Sequence, residues 1–259
     1  MKILAVAVNT YKEAIRDKIL YNLLIFSLIL IGGSILLATL TVGEQKKIII
    51  DFGLASINLF GVFMAIFLGI GLVSKEIEKR TLYTVLSKPI GRTEFLLGKY
   101  AGLLLTLGVN VVVMGMGLYL TLMFNQFRWA LPIWDVDPRL IEAIGMIYIE
   151  LALLTAVALL FSTFTTTTLA AIFTLSIYVI GHVSGDLMKM GENSGQVGFL
   201  LKGIYYALPH LSNFDIKGQV ANGIAIEPIY FLYTTLYALA YGTILIGLAS
   251  FIFKRRDLR

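Results

Sequence analysis

The chain has no cysteine, which excludes disulfides, thiolate-bound zinc or iron–sulfur sites and a cysteine nucleophile. Charge is scarce as well. Asp, Glu, Lys and Arg make up 14% of the 259 residues, against about 25% in an ordinary soluble domain. Histidine occurs only at His182 and His210, so a His-based metal centre or catalytic constellation has little to draw on. Long apolar runs are abundant instead: 58% of residues are hydrophobic, and several runs reach the ~20 residues that cross a bilayer. No cleavable leader is expected, because the run Ile3–Val8 is too short and no small-residue cleavage site precedes Tyr11.

The pattern predicts an all-α polytopic membrane protein, one domain over 1–259, with spans at about 20–42, 52–73, 95–124, 141–161, 169–183 and 229–253. An even number of spans puts both termini on one side. The termini and the segment between spans two and three hold 14 of the 21 Lys and Arg residues, which predicts that this side is cytoplasmic. On the other side, Trp129 and Trp134 suit the headgroup layer.

Three segments do not span. In residues 1–19, Leu4, Val8, Tyr11, Ile15 and Ile19 recur at helical spacing opposite Asn9, Lys12, Glu13, Arg16 and Asp17. This predicts an amphipathic helix in the membrane interface, serving as an anchor or as a lever that also touches a partner. In 184–228, "VGFLLKGIYYALPHL" is too short to span and too apolar for a free loop. It predicts a re-entrant or interfacial helix packed on spans five and six and stopped at Pro209.

The third segment, 74–94, collects charge between two apolar runs as "SKEIEKRTLYTVLSKPIGRTE". Thr81–Leu86 reads as a short half-apolar helix that Pro89 ends, Gly91 turns, and Thr93 and Glu94 follow as the cap and first turn of span three. A solvated basic loop accounts for the charge alone. It does not account for the order of charged arm, half-apolar helix, Pro-Gly corner and capped re-entry.

Chemistry-bearing motifs are few. "GRTEFLLGKY" is not a phosphate loop, since its glycines stand seven apart rather than five and Tyr100 occupies the Ser/Thr position. The methionine pairs Met114/Met116 and Met188/Met190 put their thioethers on different helix faces. Glu150, in "IYIELALL", falls inside span four unless that span starts later than drawn. An acid inside a span is a functional candidate by default. Thr155, Ser162, Thr163 and Thr165–Thr168 offer hydroxyls for interhelical bonds. Gly61, Ala65 and Gly69, and Gly181 and Gly185, stand at the four-residue spacing that lets helices approach closely.

"KEIEKRTLYTVLSKPIGRTEFLLGKYAG" resembles the segment after span two of ABC-2-type permeases. The matching residues are Glu76 and Glu78, Thr81 and Leu82, Leu86 and Pro89, Arg92, and Gly98 and Lys99, with Arg80 where many members have Gly. "YALPHLSNFDIKGQ" and "FKRRDL" look like the branch that includes the nitrous-oxide-reductase maturation permease. The resemblance implies a type V exporter-like membrane subunit that is not itself an enzyme. It implies two cytosolic ABC ATPase subunits that carry the ATP and Mg, and a second permease subunit forming a homodimer or heterodimer. It also implies a coupling helix that seats in the ATPase, involving Glu76, Glu78, Arg80, Thr81, Leu82, Leu86, Pro89 and Arg92. No nucleic-acid partner is expected. The alternative is an ion-coupled carrier or channel in which Glu150 is the ion site.

Overall fold

In a computed structural model, residues 2–41, 43–78, 91–128, 138–192, 203, 205 and 208–255 are described, and the account below concerns them. The order is α1 (Lys2–Ile15), α2 (Lys18–Thr39), α3 (Gln45–Glu78), α4 (Arg92–Arg128), α5 (Arg139–Ser162), α6 (Thr167–Glu192), a 3-10 turn (Leu211–Phe214), α7 (Lys217–Ala221) and α8 (Pro228–Arg255). No strand occurs among the described residues. Six helices, α2 to α6 and α8, are long and apolar enough to cross a membrane. They lie where the apolar runs predict, and the chain is a multi-pass membrane protein.

α3 is the hub. It packs against α2, α4, α5 and α6, and its spanning window is 72% buried, against 22% for α2 and for α6. The glycines of α3 explain the approach. A Cβ on Gly61 would meet Leu151 Cδ1 at 2.4 Å, and one on Gly69 would meet Ala158 Cβ at 2.9 Å. The small-residue spacing thus seats α3 on α5. Large side chains such as Phe26 and Leu36 on α2, and Ile172 and Val179 on α6, stay exposed and suit acyl chains.

α1 departs from the simple amphipathic picture. Thr10 and Ala14 are fully buried, while Leu4 and Val8 are exposed. The small-residue face rests on α4, where Gly98 and Gly102 make room. An added Cβ would sit 2.5 Å from Val6 Cβ at the first and 2.6 Å from the Ala7 carbonyl at the second. The larger apolar side chains therefore remain free for the membrane interface. Asp17 then caps α2, accepting from the Ile19 N–H at 2.9 Å.

Several boundaries move. α3 starts at Gln45 and continues through Glu78, so Ser74–Glu78 extends the helix rather than beginning a loop. Lys and Glu propagate a helix readily once it leaves an apolar phase. α4 begins at Arg92, and Thr93 is not its cap. The Gly91 N–H donates to the Glu94 carboxylate at 3.0 Å, and the Thr93 hydroxyl accepts from Ser250 of α8 at 3.0 Å.

The hydroxyl expectation also fails in part. Thr155, Ser162 and Thr165 bond to carbonyls three or four residues back in their own chain segment, the local option that hydroxyls take before any distant one. Gly181 receives the Pro209 carbonyl and Leu211 rather than another span, and Gly185 faces open space.

Candidate functional site

Both termini lie at one end of the bundle, here the terminal end, and α7 lies at the other, the far end. At the far end the chain after Pro209 folds back onto the spans. Leu211, Phe214, Ile216 and Val220 are buried, and this short plug contacts α3, α5 and α6. The guanidinium of Arg139, at the start of α5, donates to the Gly223 carbonyl and ties the plug down. The expected re-entrant helix over 197–209 lies mostly outside the described residues, as do Trp129 and Trp134.

Beneath the plug is a polar cluster in an apolar interior. Glu150 is the twelfth of the 24 residues of α5 and has no exposed surface, so it lies inside the span and not at its edge. Its Oε2 accepts from Asn58 Nδ2 of α3 at 2.8 Å. Asn58 Oδ1 accepts from the Tyr178 hydroxyl of α6 at 2.7 Å, which fixes the orientation of the amide. His182, one turn after Tyr178, places Nδ1 3.2 Å from the Tyr178 carbonyl and Nε2 3.4 Å from Glu150 Oε1. Neither Nε2 nor Oε1 has a hydrogen-bond partner.

A solvent-side recess of about 390 Å³ opens above this cluster, lined by Asp51, Phe52 and Ala55 of α3 and by Asp215 and Lys217. Asp215 and Lys217 face each other at 3.5 Å and act electrostatically on Glu150 and His182. Ala55 is one turn from Asn58, so recess and cluster share a face of α3.

His210 belongs elsewhere. Its backbone N–H donates to the Tyr237 hydroxyl at 3.0 Å, and its ring stands edge-on to Tyr205 with centroids 4.1 Å apart. Burial lowers its imidazole below the ordinary value. The two histidines do not form a site together, and no group of three potential metal ligands occurs among the described residues. Met114 is buried and Met116 exposed, on different faces of α4 as the spacing predicts.

At the terminal end, Arg92 donates from its guanidinium to the carbonyls of Phe253 and Lys254, at 3.1 and 3.0 Å, and so caps α8. Glu76 and Glu78 fall on the last turn of α3. Arg80, Thr81, Leu82, Leu86 and Pro89 lie outside the described residues. Sequence reasoning singled out Glu150 and missed its partners Asn58 and Tyr178. The available signal was Asn58 itself, an amide in the middle of an apolar span.

Six apolar spans packed around an α3 hub make the bundle of a polytopic membrane protein. The family model described as ABC-2 family transporter protein matches residues 4–258. The chain belongs to that family: it is an ABC transporter permease, a membrane subunit and not itself an enzyme. A search of curated proteins found no significant match.

Proposed function

We propose that this permease couples ATP hydrolysis by a separate cytosolic ABC ATPase to export of a substrate across the cytoplasmic membrane. Residues 74–94 carry its coupling element, with Glu76, Glu78, Arg80, Thr81, Leu82, Leu86, Pro89 and Arg92, and the terminal end of the bundle is cytoplasmic. ATP and Mg reside on the ATPase, and a second permease subunit, identical or different, completes the path in a type V exporter-like assembly. Its branch is the one that the segments at 206–219 and 253–258 resemble.

One observation carries this reading. The segment 79–90 joins α3 and α4, the two helices to which most of the bundle is fastened. α3 is the hub, while α4 seats α1 through Gly98 and Gly102 and holds the end of α8 through Arg92. A push on that short segment is therefore delivered to helices that cannot yield alone. Half-apolar Thr81–Leu86 suits a groove, and the charged residues around it suit complementary potential on a partner.

The test is co-purification of the full chain with its ATPase. Leu82→Asp and Leu86→Asp abolish the association while thermal unfolding of the membrane part is unchanged. Full retention of the ATPase by both variants overturns the coupling role. Gradient-driven substrate uptake by liposomes holding this chain without ATPase overturns the ATP-driven reading in favour of an ion-coupled carrier that uses Glu150.

A further inference from the structure

The cluster at Glu150 has a property that its individual hydrogen bonds determine. The Tyr178 carbonyl only accepts, so His182 Nδ1 must carry the hydrogen between them. In the neutral imidazole this makes Nε2 a bare lone pair. Glu150 Oε1, an acceptor as a carboxylate, faces it at 3.4 Å. Two acceptors confront each other in an interior where Glu150 has no exposure, and neither has another partner. One proton placed on either atom turns the opposed pair into donor and acceptor. The remaining polar atoms are already satisfied, since Oε2 takes the Asn58 amide and Asn58 takes the Tyr178 hydroxyl.

We propose that Glu150 and His182 form a binding site for a single proton inside the bundle, loaded from the far-end recess, and that the bound proton latches α6 to α3 and α5. α6 needs such a device because it buries only 22% of its spanning window. Its attachment to the hub through Tyr178 and His182 runs through this cluster. Without the proton, two lone pairs repel where the helices meet, and α6 parts from the hub. With the proton, a continuous chain runs from His182 through Glu150 and Asn58 to Tyr178.

The charged and titratable groups facing the pair are few. α3 contributes Asn58 and, toward the recess, Asp51. α6 contributes Tyr178. The segment after the 3-10 turn contributes Asp215 and Lys217, whose opposite charges sit at the mouth. On α5, Tyr148 points away from the pair and donates to the Leu104 carbonyl of α4. The closed latch holds one proton, whereas separated side chains in water above the histidine range hold none. Closing therefore takes up a proton, and the closed-to-open ratio falls about tenfold per pH unit in that range.

The latch itself does not depend on the permease reading. Only the compartment that supplies the proton, the outer one, rests on it. The test uses the full chain in liposomes without ATPase or substrate, so its outcome is independent of ATP coupling. Spin labels on Leu59→Cys of α3 and Val179→Cys of α6, both exposed positions, report the distance between the helices.

The ratio of short- to long-distance populations falls about tenfold per pH unit above neutrality in the otherwise unaltered chain. Glu150→Gln presents an amide N–H to Nε2 in place of the acid proton, so it stays closed throughout the range above neutrality, where Nε2 remains a lone pair. His182→Phe removes the acceptor and abolishes the pH response. An identical pH profile in Glu150→Gln overturns the proposal, because the titrating group then lies elsewhere. Nitrogen NMR of the unsubstituted chain gives a second reading: His182 protonated on Nδ1 alone or on both nitrogens supports the site, and a neutral ring protonated on Nε2 overturns it. A response to pH at the terminal end only, imposed across sealed liposomes, overturns loading from the recess.

Discussion

Lys99 of α4 has 1% of its surface exposed, yet its ammonium reaches the Glu13 carboxylate of α1 at 3.4 Å and stands 5.6 Å from the Phe95 ring centroid. A cation buried at the root of a spanning helix thus points at the amphipathic helix beside it. Glu13 is about half exposed, so water weakens the pair. Glu13→Gln is expected to loosen α1 by up to ~1 kcal/mol, seen as faster hydrogen exchange over α1 with the spans unaffected.

The glycine seat beneath α1 makes a stronger prediction. A Cβ at Gly102 meets the Ala7 carbonyl and the Thr10 Cβ, both at 2.6 Å, and neither atom is the far end of a flexible side chain. Gly102→Leu is expected to lift α1 at a cost of about 1–3 kcal/mol. Cross-linking of α1 to α4 measures this, through cysteines placed in a chain that has none of its own.

Arg92 ties the start of α4 to the end of α8 through two carbonyls. Arg92→Ala is expected to fray the last turn of α8, with a loss of about 1–3 kcal/mol locally. Amide exchange over 250–255 reads the effect. Arg92→Lys, lacking the planar fork, rescues it only in part.

Gly69 of α3 faces Ala158 of α5, where an added Cβ would meet the alanine Cβ at 2.9 Å. Gly69→Leu is expected to separate the hub from α5 and lower the thermal midpoint of the whole bundle. Gly185→Ala, which meets open space, leaves the midpoint unchanged.

His210 supplies a pH dependence outside the spans. Burial lowers its imidazole below 6.5, so the folded loop binds fewer protons than the unfolded one. The stabilisation is full above pH about 6.5 and is lost as the pH falls from there through the lower folded value. Exchange protection over 208–216 is expected to decline with acidification, and His210→Gln removes that decline.

The spans were legible because a bilayer demands uninterrupted apolar length, and each observed span coincides with such a run. Glu150 was legible as a single acid in one of them. Its setting was not, because Asn58 and Glu150 stand 92 residues apart and Asn58 and Tyr178 stand 120 apart. The plug after Pro209 was hidden for another reason: Leu211, Phe214, Ile216 and Val220 follow neither a helical nor a strand period. The docking face of α1 was missed because Val6, Ala7, Thr10 and Ala14 are small, and patterning by hydrophobicity favours Leu4 and Val8.

The seat of α1 also sets an order of events during biosynthesis. Glu13 and Lys99 are 86 residues apart in the chain. At ribosomal rates of about 5–20 residues per second, the nascent amino-terminal helix waits roughly 4–17 s before its glycine cradle leaves the tunnel. During that interval the exposed side chains of Leu4 and Val8 must keep the helix at the lipid surface, so their first duty falls before the fold exists.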